Sequence, residues 1–128
     1  MQRTKMALTG MALMLVQQVF AASHIVEITW NRDGAFAHGP SVESGKFVEL
    51  CGKLVPGDSI RWEFAASEAV DFNIHYHVGK EAEFPAKQAQ VSSGQDILRV
   101  AVHEDYCWMR SKESSSRVRI DVLLQRQN

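Results

Sequence analysis

The stretch SIRWEF, residues 59–64, decides how the chain is read. Ile60, Trp62 and Phe64 alternate with Ser59, Arg61 and Glu63, and a period of two marks a strand with one buried face. The same alternation recurs outward in both directions. HIVEITW (24–30) sets Val26, Ile28 and Trp30 on one side, and FVELC (47–51) sets Val48 and Leu50 against Phe47, Glu49 and Cys51. ILRVAV (97–102) offers Leu98, Val100 and Val102, and RVRIDVLL (117–124) offers Val118, Ile120, Val122 and Leu124. Turn chemistry separates the runs at Asp33-Gly34, Gly39-Pro40, Pro56-Gly57-Asp58, Gly79, Ser93-Gly94 and the serines at 114–116. Only EFAASEAV (63–70) is rich in helix formers, and it is short. The pattern predicts an all-β, antiparallel β-sandwich of about seven or eight strands with almost no helix.

Residues 1–23 read differently. Arg3 and Lys5 precede the apolar run Met6 to Phe20, and small residues follow in VFAAS, the layout of a secretory signal peptide. Cleavage after Ala21, Ala22 or Ser23 leaves a single β-sandwich domain at 24–128, periplasmic or secreted and with no stable membrane insertion. Cleavage after Ser23 would make His24 the N-terminus, where amine and imidazole can chelate copper. Without Arg3 and Lys5, 12 basic residues stand against 15 acidic ones, a net charge of about −3. No basic patch stands out, so nucleic acid is not an expected partner.

The chemistry lies in two short segments. In DFNIHYHV (71–78), Phe72, Ile74, Tyr76 and Val78 share the core-facing side, which leaves Asp71, Asn73, His75 and His77 on the outer one. In DYCWM (105–109), Tyr106 and Trp108 belong inside, with Asp105, Cys107 and Met109 opposite. If the two strands are neighbours, two imidazoles, a thiolate and a thioether converge. That donor set suits copper, Cu(I) above all, with zinc the weaker fit. Cys51 and His103 are possible further donors, although His103 also reads as a loop residue, as does His38. The alternative is a disulfide between the two cysteines, Cys51 and Cys107, in an oxidising compartment. There is no Gly-x-Ser-x-Gly elbow, His-Glu-x-x-His or phosphate loop, and nothing marks an oxyanion hole for a Cys107–histidine pair, so an enzyme is not expected.

LVPGDSIRWEF, VDFNIHYHVG and DYCWMRSKESSSRVRIDVLL together resemble the GOLD-type β-sandwich over about residues 46–124, and PGDSIRW is similar to the opening of cupredoxins. The resemblance implies a small exported β-sandwich that holds copper. Met109 follows Cys107 by two and no histidine follows it, which departs from the blue-copper ligand order. The expectation is therefore an exported protein holding copper for homeostasis, delivery or detoxification, with the metal ion and a copper-donor or acceptor protein as partners. The alternative is a non-catalytic interaction module stapled by Cys51–Cys107.

Overall fold

The computed structural model describes residues 24–39, 41–42, 46–112 and 117–127; the expected signal peptide, Pro40 and the serines at 114–116 lie outside these. Eight strands follow in chain order: β1 His24–Glu27, β2 Ala35–His38, β3 Ser41–Val42, β4 Lys46–Leu54, β5 Ser59–Val78, β6 Glu81–Arg99, β7 Glu104–Lys112 and β8 Val118–Arg126. Among the described residues there is no helix, as the alternation predicts. EFAASEAV lies mid-strand in β5.

The strands run in the order β1-β4-β7-β5-β8-β2, with β3 on β8 and β6 on β5. Most pairs are antiparallel, but β1 lies parallel to β4, which corrects the all-antiparallel expectation. β5 is 20 residues long and makes the architecture. Its first half, Ile60 to Ala66, pairs with β8, and its second half, Asp71 to His75, pairs with β7. One long strand thus belongs to two sheet regions, and the bulges beyond Ala65 supply the bend between them. The inward side chains of both regions meet: Phe72 lies 4.9 Å from Trp62 and 4.6 Å from Phe64, ring centroid to centroid. Leu50, Ile60, Ile74, Tyr106, Trp108, Ile120 and Leu124 complete the buried core. Burying each of the larger side chains is worth about 1.5–3 kcal/mol.

The turns behave as their residues demand. Gly34, Gly57 and Gly79 all take positive φ, at 74°, 97° and 63°. Asp58 closes its turn by accepting the Val55 amide on Oδ2 at 3.0 Å. Ser93-Gly94, read as a turn, is instead part of β6, with Gly94 opposite Phe64. A Cβ there would sit 2.7 Å from Phe64 Cε1, so glycine serves close approach and not chain reversal.

Candidate functional site

β7 lies between β4 and β5, so its outward residues each gain a neighbour on both sides. Cys107 faces Cys51 across β4 and His75 across β5; Met109 faces Glu49 and Asn73. The two segments singled out in the sequence are therefore adjacent, and His75, Cys107 and Met109 do lie together. The expected set lacks its thiolate, however. Cys51 and Cys107, with Cα atoms 4.1 Å apart, are joined as a disulfide. The thiolate that the copper set requires is covalently occupied, and neither sulfur is a free donor. The ligand-capable atoms of Glu49, Cys51 and Cys107 lie within 4.8 Å of one another, but two of the three are the bonded sulfurs. The same bond removes Cys107 as a nucleophile.

The two histidines differ in a way alternation alone does not reveal. His77 is exposed, whereas His75 is only 5% exposed. Its ring is flanked edge-on by His77 at 5.2 Å and by Phe84 of β6 at 6.0 Å. Lys87 in turn lies 4.7 Å over the Phe84 ring. The outer face is thus walled off where it was expected to be open. Inside that wall, His75 Nδ1 is 2.7 Å from Asn73 Oδ1 and Nε2 is 3.2 Å from Glu49 Oε1. Two oxygen acceptors suit the imidazolium. The neutral ring fits once the Asn73 amide is turned over, so that its NH₂ donates to Nδ1 while Nε2–H donates to Glu49. Burial holds the His75 pKa below its ordinary value, aided by the His77 charge and opposed by Glu49.

The remaining sequence candidates disperse. His103 is exposed in the loop before β7. Met109 is half-buried between Glu49 and Asn73. His24 opens β1, exposed and opposite Val48. His38 is no loop residue: it ends β2, its ring stacks on Phe36 at 6.1 Å, and its buried Nδ1 has no hydrogen-bond partner among the described residues.

A cleft of about 870 Å³ crosses four strands, lined by Ala37, Ala65, Leu123, Glu63 and Asp121 among others. The small residues that line it gave no signal in the sequence, because alanine and glycine carry little hydrophobic contrast. Gly39 shows the packing there: a Cβ would meet Asp121 Oδ1 at 2.7 Å.

Site and fold together define a disulfide-stapled all-β sandwich with a walled histidine and no free thiol among the described residues. No family model and no curated protein matches the chain. Among solved structures the fold is similar to that of PliG from Aeromonas hydrophila, a periplasmic lysozyme inhibitor of g-type lysozyme. The TM-score is 0.67 at 12% identity, covering 83% of this chain and 98% of that one. PliG from Salmonella Typhimurium, also a periplasmic inhibitor of g-type lysozyme, matches with TM-score 0.57 at 8% identity, over 83% and 100% of the two chains. The pre-peptidase C-terminal domain of a Bacillus anthracis collagenase matches with TM-score 0.62 at 10% identity, over 80% and 96%. These neighbours correct the expected likeness to GOLD modules and cupredoxins, and with it the copper function.

Proposed function

We propose that this chain is a non-catalytic, periplasmic protein-binding module whose partner is a g-type lysozyme. The observation that supports this is the similarity, over nearly the whole of the neighbours' length, to PliG proteins from two organisms that carry that function. The disulfide agrees with an exported protein, since such bonds persist in oxidising compartments. One disulfide and a continuous buried core tie the strands of the module together, and a preformed surface lowers the ordering cost of binding a folded partner.

The test is direct. The oxidised protein, exported and freed of its leader, is titrated into the lysis of peptidoglycan by several g-type lysozymes, with a lysozyme of another type as control. Dose-dependent inhibition of the g-type enzymes, with a stoichiometric complex on size exclusion, is the expected result. Full lytic activity in a large molar excess of the protein, with no complex, would sink the proposal.

A further inference from the structure

The inward residues of β7 are Tyr106, Trp108, Arg110 and Lys112, and the last two are cations in a core. Lys112 is matched, because its Nζ bonds Glu68. Arg110 is 0% exposed, between Val48 of β4 and Phe72 of β5, and none of its three guanidinium nitrogens has a hydrogen-bond partner among the described residues. A buried charge without a counter-charge costs several kcal/mol. Burial lowers its pKa only to about 10, so it remains charged at neutral pH. Two of the other buried nitrogens without a partner among the described residues bear on it. Trp108 Nε1 is two residues along the same face, and His38 Nδ1 is close enough to the guanidinium for the Arg110 charge to help lower its pKa.

We propose that Arg110, with His38, forms an internal anion site that takes a small monovalent inorganic anion of chloride size. One guanidinium carries one net charge, so a monovalent ion neutralises the site, whereas a dianion would bring excess charge into an apolar interior. The guanidinium supplies the charge and the fork of donors. His38, as its Nδ1–H tautomer, supplies a neutral donor. His38 also lines the cleft. The site lies on inward-facing residues, away from the disulfide row, and does not depend on a lysozyme partner.

The experiment follows the thermal midpoint of the whole oxidised protein while sodium chloride replaces the sodium salt of a bulky organic sulfonate at constant ionic strength. Chloride at tenfold excess over its Kd should shift the folding equilibrium about tenfold, a rise of roughly 5–10 °C. Line broadening of the chloride-35 resonance by the wild-type protein is the direct readout. Arg110→Met should abolish both responses and melt higher than the wild type in sulfonate alone, having lost its uncompensated charge. His38→Ala should weaken the chloride response, and it keeps the proposal testable if Arg110→Met does not fold. Equal wild-type midpoints in chloride and sulfonate without line broadening would overturn the proposal, as would an undiminished response in either variant.

Discussion

Replacing both cysteines, Cys51→Ala with Cys107→Ala, should remove a large part of this domain's stability. The bridge joins residues 56 apart in sequence. Closing a loop of that length costs the unfolded chain about 14 cal/mol/K, or about 4 kcal/mol at 25 °C. A domain of this size has about 5–15 kcal/mol in total, so the loss is a quarter or more of it. Alanine is the better replacement because Cys107 is 9% exposed, and a serine hydroxyl there would need a partner of its own. The assay is guanidinium unfolding of the oxidised wild type and the double variant, with alkylation and intact mass to count thiols. The midpoint should fall, and the slope m should rise, because an unfolded chain without the cross-link exposes more surface. The melting temperature should drop by roughly 15 °C or more. A variant within about 1 kcal/mol of the wild type, or two alkylatable thiols in the oxidised native protein, would refute the reasoning.

His38 and His75 both have pKa values lowered by burial, so between those values and the ordinary 6.5 the unfolded chain binds more protons than the folded one. Their contribution to stability is complete above pH 6.5 and is lost as the pH falls towards the folded values; a melting temperature that is flat or rising from pH 7.5 to 5 contradicts this. His75→Gln should flatten part of that slope. Gly94→Ala should cost about 1–3 kcal/mol by urea unfolding, because the new Cβ meets a Phe64 ring already packed on Phe72. Incubating the oxidised protein with copper(I) or zinc should leave no stoichiometric metal after desalting, since both sulfurs are engaged; one retained equivalent would reopen the metal reading. Trp108→Ala should destabilise by about 3–5 kcal/mol, read by the same urea titration.

The half-buried strands were legible because one face of each is in the core and the other is not. In SIRWEF and RVRIDVLL every alternation holds: Ile60, Trp62, Phe64, Val118, Ile120, Val122 and Leu124 are buried and the intervening charged residues are exposed. β6 was largely illegible for the converse reason. Among the described residues it pairs only with β5, and it is exposed along most of its length, so no period of two appears in EAEFPAKQAQVSS, and Pro85 is tolerated because that edge needs no second ladder. The alternation in DFNIHYHV fails at its end, where Val78 is 54% exposed beside the Gly79 turn. Arg110 and Lys112 were missed because a cation two residues beyond Trp108 reads as the end of the buried stretch. Only the structure shows that the inward face of β7 continues through both.

The candidate site was misread because of strand order, not side-chain chemistry. Alternation placed Cys51 on the face of Glu49, and Cys107 on that of Met109, and both placements hold. No local pattern says which strand lies on the far side of β7. With β5 alone as its neighbour, Cys107 would face His75, and a soft ligand set would be the natural product. With β4 on the other flank, a second sulfur stands directly opposite, and a covalent bond replaces the ligand. His75, Asn73 and Glu49 then become a polar group enclosed beside the bridge. Such a group has a consequence for folding. A slip of β5 by one residue would turn Asn73 and His75 towards Trp108 and bring Ile74 to the outer face, leaving two polar side chains in the core. The disulfide holds β4 to β7 and the histidine holds β5 beside them, so the consecutive strands β4 and β5 and the distant β7 are set in a single register.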